Sequence, residues 1–225
     1  MIKSIALALV TLFTLQFATA QDYTKAVDSD PAAKTILDAV SKKYEGYSTI
    51  QTAFELEMAF PEQEVEVQQG ILARNGNQYR VTFGTQEIFS DGKAVYLVMH
   101  NNKSVQINDM PDPNEDMGFL SPETIFTFYD NGQFVYRLMD TQTEKGKVVH
   151  FIEFKPVDRN SEYSKLRMVV ERDSKKIVRV LAFAKDGSRY TFKLNKLQPN
   201  KKFAAGYFEM NDGKFPGYYV EDLRD

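Results

Sequence analysis

The sequence of 225 residues contains no cysteine, and this excludes disulfide frameworks, zinc–thiolate sites and thiol nucleophiles together. Histidine is scarce as well: His100 and His150 are the only two, and neither has a second histidine at a metal-ligand spacing. Each lies in a strand pattern, where a half-buried, hydrogen-bonded side chain is expected. No G-x-S-x-G elbow and no glycine-rich phosphate loop is present. The sequence therefore predicts no catalytic residue, no metal site and no cofactor.

No charge of one sign dominates the composition. The chain has 28 lysines and arginines against 31 aspartates and glutamates, which gives a formal net charge of −3 at pH 7. Because the basic residues are scattered along the chain, nucleic acid is not an expected partner. The carboxylate pairs Glu55/Glu57 and Glu64/Glu66 have the spacing of a solvated strand face, and spacing alone does not make either of them a glycosidase pair.

Long apolar runs are also absent, with one exception at the N-terminus. Residues 1–3 include Lys3, residues 4–17 are mostly apolar, and residues 18–20 are small. This three-part pattern predicts a cleavable signal peptide over residues 1–20, because the apolar stretch is too short for a permanent membrane anchor. The remaining chain, residues 21–225, is then exported across the inner membrane, and it is long enough to fold as a single domain without disulfides.

The apolar periodicity changes from helical to strand-like after the first element. Asp30-Pro31 predicts a helix start, with aspartate as N-cap and proline at the first position, and Gly46 predicts its end. Beyond Tyr47, apolar and polar residues alternate with a period of two, which indicates strands. The pattern therefore predicts a mainly β, antiparallel meander with helical additions. Tight hairpin turns are predicted at Asn75-Gly76, Asp91-Gly92, Asn131-Gly132 and Asp186-Gly187.

Several later strands are apolar on both faces. Residues 95–99, 148–154 and 177–184 contain few polar side chains. A one-layer sheet with a solvated face does not need this composition. Either helices or a second layer cover the other face and form a packed core, or that face lines an apolar cavity. The sequence leaves both interpretations open.

A second, short helix is predicted after Ser121-Pro122, with serine as N-cap and proline at the first position. It carries large apolar side chains over most of its circumference, so it must be inserted into other structure. Two roles fit this pattern: a lid or plug over the sheet, or a fixed core helix between two strands. The residues predicted to form the lid are Ile125, Phe126, Phe128 and Tyr129.

The acidic stretch 112–123 places carboxylates at the spacing of a calcium-binding loop. However, Met117 stands where such a loop needs glycine, and Glu123 falls in the first turn of the predicted second helix. Calcium is therefore not an expected ligand.

Several segments, taken in order, resemble the LolA-type family of periplasmic outer-membrane lipoprotein carrier proteins. The Ser-Asp-Gly-Lys turn at residues 90–93, followed by Val95-Tyr96, is similar to the family's most recognisable turn. Ser121-Pro122 lies where the family places an inserted helix. The shared order and spacing of these segments, over nearly all of the exported chain, carry the resemblance. The other matching segments are residues 36–40, 47–54, 70–74, 79–80, 163–168, 186–187, 192–194 and 200–208.

The resemblance implies an unclosed antiparallel β-barrel of about ten to eleven strands. Its apolar concave face would be covered by the N-terminal helix and the lid. The implied function is that of a soluble, monomeric periplasmic carrier and not of an enzyme. Such a carrier accepts the acyl chains of lipoproteins from an inner-membrane ABC transporter and delivers them to the outer membrane, where a receptor is a further partner. Gln21 stands where a lipid-anchored receptor of the same fold would need a cysteine, and this favours the unanchored carrier.

The resemblance and the alternation of the first strands together suggest the site residues. Arg74 is the candidate for a latch on the lid, because the family carries a Lys-Arg-Pro-like motif in this hairpin and the present run is Arg74-Asn75-Gly76-Asn77. A slip of one residue exchanges the two faces of a strand, so alternation alone does not decide which face lines the cavity. The predicted lipid-binding cavity residues are Phe54, Leu56, Met58, Phe60, Ile71, Val81, Phe83, Leu97, Met99, Met168, Leu181 and Phe183.

Three alternatives to lipoprotein transport remain open from the sequence. A lipid- or lipoprotein-sensing module, or a carrier of another envelope lipid, would use the same fold and the same cavity. A hydrolase on a β scaffold would instead depend on His150 or Glu153 as a catalytic group.

Overall fold

The computed structural model describes residues 28–110, 125, 126, 128–130, 132–211 and 213–224. The predicted signal peptide, the acidic stretch 112–123 and the predicted start of the second helix lie outside the described residues. The described residues form one α-helix, α1 (Pro31–Glu45), and a short 3-10 helix, Phe128–Asp130, which lies within the predicted second helix. The strands are β1 (Thr49–Ala59), β2 (Glu66–Asn75), β3 (Gln78–Phe83), β4 (Gln86–Ser90), β5 (Ala94–Met99), β6 (Ser104–Asp109), β7 (Phe134–Glu144), β8 (Lys147–Pro156), β9 (Tyr163–Glu171), β10 (Ile177–Ala184), β11 (Arg189–Pro199) and β12 (Tyr219–Asp222).

Helix α1 begins and ends where the sequence predicts. The Asp30 carboxylate accepts a hydrogen bond from the backbone N–H of Ala32, at 2.8 Å, and Pro31 is the first helical residue. Gly46 follows the last helical residue, and its N–H donates to the carbonyl of Lys42, at 3.2 Å. The helix packs on the sheet through a mostly apolar face, whose buried residues are Ala33, Leu37, Val40, Ser41 and Tyr44.

The strands form one sheet in the order β12-β6-β5-β4-β3-β2-β1-β11-β10-β9-β8-β7. Strands β1–β6 form one meander and β7–β11 form a second, and the two meanders join where β11 pairs with β1. Because β12 and β7 stand at opposite ends of this order, the sheet is open, as the predicted unclosed antiparallel barrel requires. The described sheet has one strand more than the expected ten to eleven, because Tyr219–Asp222 adds in parallel to β6.

Three of the predicted dipeptides form tight connections between strands. Asn75-Gly76 joins β2 to β3, Asp91-Gly92 joins β4 to β5, and Asp186-Gly187 joins β10 to β11. The three glycines have φ values of +59°, +86° and +92°, which glycine adopts at little cost. Gly132 also has a positive φ, two residues before β7, whereas Asn131 lies outside the described residues.

Each face of the sheet carries its own buried cluster. We define the inner face as the one that α1 covers; it holds the larger cluster, in which α1, part of residues 125–129 and most strands meet. On the outer face, Met210, Phe215 and Tyr218 of the C-terminal segment pack over a smaller cluster. The packed-core interpretation therefore holds for the outer face of β5. The smaller cluster consists of Phe89, Ala94, Tyr96, Val98 and Val105.

Candidate functional site

An apolar strip runs across the inner face from strand to strand. The register places Leu56 of β1 opposite Phe192 of β11, and Phe54 opposite Leu194. The rings of Phe54 and Phe192 stack, with their centroids 4.9 Å apart. Side chains at directly opposed positions share a face, so the strip can be followed through the strand pairs. It continues through Val81, Ile88 and Leu97 on one side and through Val180, Met168 and Ile152 on the other.

Phe54 fits into this strip because a glycine lies opposite it. The register pairs Phe54 with Gly70 of β2. A Cβ atom at position 70 would lie 2.5 Å from Cζ of Phe54 and 2.3 Å from the carbonyl oxygen of Thr82. The absence of a side chain at Gly70 therefore gives the Phe54 ring its place.

The lid segment is buried against α1 and the inner face. We use this name for Ile125, Phe126, Phe128 and Tyr129, all of which are buried. The Phe126 ring stacks on Tyr44 of α1, with centroids 4.7 Å apart. The Phe128 ring lies 5.2 Å from the ring of Phe154 on β8. Aromatic contacts of this kind add stability beyond the burial of apolar area, so the lid segment is firmly packed in this conformation.

Arg74 lies beside the lid segment, on the inner face of β2. Its guanidinium carbon is 5.8 Å from the ring centroid of Phe126, within the range of a cation–π interaction. Tyr44, which also contacts Phe126, stays neutral because burial raises the pKa of its phenol to about 12. The Tyr44 hydroxyl accepts a hydrogen bond from the backbone N–H of Ile177, at 3.1 Å. Phe126 is therefore in contact with a neutral ring and with a cation.

Other apolar residues of the inner face are only half-buried. Those on β1, β3, β4 and β5 are mostly long or unbranched side chains, which adapt to irregular apolar partners more readily than β-branched ones, and Tyr190, Phe192 and Leu194 of β11 are half-buried as well. This stretch of β1, β3, β4 and β5 is the candidate functional site. Its residues are Met58, Phe83, Ile88, Leu97 and Met99.

Most of the predicted cavity residues come together on the inner face. Phe60 follows the end of β1 at the margin of this face, where its ring lies 6.1 Å from that of Tyr190. Strand β11 contributes Tyr190, Phe192 and Leu194, which the sequence prediction did not include. The predicted residues on the inner face are Phe54, Leu56, Met58, Val81, Phe83, Leu97, Met99 and Met168.

Three predicted cavity residues, Ile71, Leu181 and Phe183, lie instead on the outer face. Ile71 is paired with Thr82 and is 42% exposed. Leu181 and Phe183 belong to the set of β10 residues that points away from α1, and the Lys165 ammonium lies 5.2 Å from the Phe183 ring centroid. These three residues therefore do not share a face with the other predicted cavity residues. The apolar set of β2 that includes Val67 and Ile71 lies on the outer face, and β10 is apolar at both alternate sets of positions, so its sequence does not choose a face.

Both histidines are half-buried and hydrogen-bonded, as the sequence predicts. His100 lies between Glu87 and Tyr218, with ring nitrogens 2.9 Å from the carboxylate and 2.8 Å from the hydroxyl. The Nδ1 atom of His150 lies 2.9 Å from the hydroxyl of Thr141.

Within the described part of the chain, no three His, Asp or Glu side chains are grouped so that they could hold a metal ion. Across the same residues, no helix has the length and apolar character needed to cross a membrane.

Solved structures with the same fold come from several bacteria. An uncharacterized conserved protein from Thermus thermophilus matches with a TM-score of 0.56 and 11% identity, over 86% of this chain and 99% of that chain. A LolA superfamily protein from Nitrosomonas europaea matches with a TM-score of 0.45 and 13% identity, over 79% and 97% of the two chains. The lipoprotein LppX from Mycobacterium tuberculosis matches with a TM-score of 0.45 and 11% identity, over 78% and 99%.

At 11–13% identity the likeness to these structures concerns the fold alone. No protein-family model matches the sequence, and no curated protein matches it either.

Proposed function

We propose that the protein is a carrier that binds the acyl chains of lipoproteins on its inner face and transfers them from the inner to the outer membrane. The observation that carries the proposal is the continuous apolar strip of the inner face, which is closed in part by α1 and the lid segment. Elsewhere it is lined by half-buried side chains such as Met58, Leu97 and Met99. The family resemblance of the sequence supports the same function.

The energetics of acyl chains explain why such a carrier would be built in this way. Burial of each methylene group away from water is favourable by about 0.8 kcal/mol of free energy, so an acyl chain does not cross an aqueous space unprotected. Full burial of several long chains would exceed the limit of roughly 20 kcal/mol for reversible binding. A carrier must therefore bind loosely and release its cargo. Adaptable side chains and a movable lid meet this requirement.

In this proposal the lid segment moves when cargo enters. Phe126 and Phe128 occupy inner-face space that an acyl chain would take, and Arg74 serves as the latch that holds Phe126 in the closed position. The remaining predicted lid residues, Ile125 and Tyr129, move with them. The carrier needs no cofactor and no catalytic group.

The proposed setting is the periplasm, reached through the signal peptide predicted over residues 1–20. The carrier acts there as a monomer of one LolA-like domain, residues 21–225. Its partners are acylated lipoproteins, an inner-membrane lipoprotein-releasing ABC transporter that supplies them, and an outer-membrane receptor.

The experiment compares the inner and outer faces of the same sheet. Leu97→Asp places a charge on the inner face, and Ile71→Asp places the same charge on the outer face, where the side chain is already 42% exposed. We expect Leu97→Asp to reduce binding of a fluorescent acyl probe by about tenfold or more, because an unpaired carboxylate disfavours an apolar ligand, and Ile71→Asp to leave it unchanged. Circular dichroism checks that both variants are folded.

The transfer step needs its own measurement. The protein, added to spheroplasts, should release lipoproteins into the medium, and the Leu97→Asp variant should release fewer. Mass spectrometry of lipid that co-purifies with the protein then identifies the cargo. Acyl binding without lipoprotein release would favour a sensing module or a carrier of another envelope lipid. Equal acyl binding by both variants and the native protein would contradict an inner-face site.

A further inference from the structure

Part of strand β2 has a neighbour on one side only. β2 pairs with β1 from Glu66 to Asn75, but its pairing with β3 begins only at Gly70, opposite Phe83. Among the described residues, Glu66–Gln69 therefore have no strand on the β3 side, and every residue from 61 to 69 is exposed. In an antiparallel sheet, alternate N–H and C=O groups of such a stretch point to solvent and can pair with an added strand.

A groove lies along this free edge. Its volume is about 390 Å³. One wall is formed by Val67, Gln68 and Gln69 of β2, and the other by the residues from Phe83 to Gln86, where the chain turns from β3 into β4. The free stretch of four residues corresponds to roughly 13 Å of strand, which is enough for a short extended peptide to pair with.

Exposed apolar side chains and exposed carboxylates alternate along this edge. On the outer face of β2, Val67 and Ile71 are 53% and 42% exposed, and Val65, which directly precedes the strand, is 57% exposed. Glu66 is an exposed carboxylate on the inner face, opposite Met58, and Glu64 is exposed two residues before it; neither has an ion pair among the described residues. The carboxylates of the neighbouring β1 differ, because Glu55 and Glu57 share Lys193.

We propose that this edge binds an extended segment of a partner protein in which basic and apolar residues alternate. The segment would add to β2 as a strand beside Glu66–Gln69, with its apolar side chains next to Val65 and Val67 and its basic side chains next to Glu64 and Glu66. The acidic side chains oppose pairing of this edge with a second copy of itself, because two such edges would bring like charges together. The proposal does not depend on lipid binding.

The test uses synthetic peptides of about six residues, a length set by the free stretch of the strand. One peptide alternates lysine and valine, a second has the same composition with the lysines and valines in blocks, and a third alternates glutamate and valine. We expect the first peptide to bind and to slow amide hydrogen exchange at Glu66–Gln69. Val67→Lys should weaken that binding by about tenfold, and the matched change Val220→Lys should have no effect, since Val220 is 47% exposed on β12.

Several outcomes would overturn the proposal. Equal binding of the alternating and the block peptides would mean that charge alone attracts them. Absence of binding, or exchange protection elsewhere in the sheet, would remove the edge as the docking site. If the native protein has twice the monomer mass in solution and the Val67→Lys variant has the monomer mass, the edge binds a second copy of the chain and not a partner peptide. Binding of the acyl probe, measured on the same Val67→Lys protein, keeps a failure here distinct from a failure of the carrier function.

Discussion

The lid segment depends, at the scale of single residues, on what surrounds the Phe126 ring. Tyr44 stacks on it at 4.7 Å, and the Arg74 guanidinium lies 5.8 Å from its centroid. Cation–π contacts contribute about 0.5–2 kcal/mol, depending on how far water is excluded. A contact of that size is strong enough to bias a lid toward its closed position and weak enough to be broken by the binding of an acyl chain.

We therefore predict that Arg74→Met opens the lid more easily. Loss of about 1 kcal/mol from the closed state should raise the apparent affinity for an acyl probe up to roughly fivefold, because less of the protein is held in the conformation that excludes the probe; fluorescence titration measures this affinity. Lys43→Met is the matched control, because the Lys43 ammonium also lies 5.8 Å from an aromatic ring, but that ring belongs to Tyr47 and not to Phe126. An unchanged affinity in Arg74→Met would remove Arg74 from the latch role.

Some features of this site were predicted from the sequence and others were not. Arg74 was identified through the family resemblance, and the structure places it beside Phe126. The fit of Phe54 against Gly70 was not predicted, because a glycine in an alternating pattern carries no information about which way its neighbours point. The role of Gly70 becomes evident only when the strand pairing shows that Phe54 lies opposite it.

Asp30 connects two elements, α1 and the edge strand β7. One carboxylate oxygen caps α1 through the N–H of Ala32, and the other accepts a hydrogen bond from the N–H of Leu138 on β7, at 3.1 Å. The backbone N–H of Asp30 also donates to the carbonyl of Tyr136, at 2.9 Å. One side chain therefore fixes the start of the helix and covers part of the open edge of the sheet.

We predict that Asp30→Ala lowers the free energy of unfolding by about 2 kcal/mol, with about half from the lost cap and half from the N–H of Leu138 that loses its partner. Urea denaturation measures this difference. Asp28→Ala, an exposed position two residues earlier, is the control and should change stability by less than about 0.5 kcal/mol. A cost no larger than that of the control would show that Asp30 does not link the two elements energetically.

The buried face could be predicted from the sequence for some helices and strands and not for others, for one physical reason. Helix α1 carries one apolar stripe, so its sequence specifies both its limits and its buried face. Strand β10 is apolar on both faces, and only its pairing with β9 and β11 assigns Val180 and Ala182 to the inner face and Leu181 and Phe183 to the outer one. Where both alternate sets are apolar, strand register decides the face.

For the whole molecule, paired carboxylates link stability to pH. The N–H of Ala32 lowers the pKa of Asp30, and hydrogen bonds from Arg179 and Lys147 lower those of Glu144 and Glu171. A lowered carboxyl pKa contributes stability that is present above the unfolded value, 3.8 or 4.5 for these groups, and is lost as pH falls through the folded value.

His150 adds a second pH dependence at higher pH. Burial is the largest cause that lowers its pKa below 6.5, so its protonation costs the folded chain more than the unfolded one. We predict that the free energy of unfolding declines first as pH falls below 6.5 and then more steeply below 4.5, as measured by urea denaturation at a series of pH values. His150→Gln should remove the first decline and retain the second. A first decline that persists in this variant would assign it to another group.

Local sequence patterns are enough to predict the class of the molecule, a mainly β chain with a capped amphipathic helix and tight glycine turns, because periodicity, helix caps and turn dipeptides are local properties. The tertiary structure alone decided which face of each strand is inner, that β11 closes onto β1, and that the C-terminal segment covers a second cluster on the outer face. It also decided that β3 stops short of Glu66–Gln69 and leaves an edge there. These features rest on contacts between residues far apart in the chain, which a local pattern does not encode.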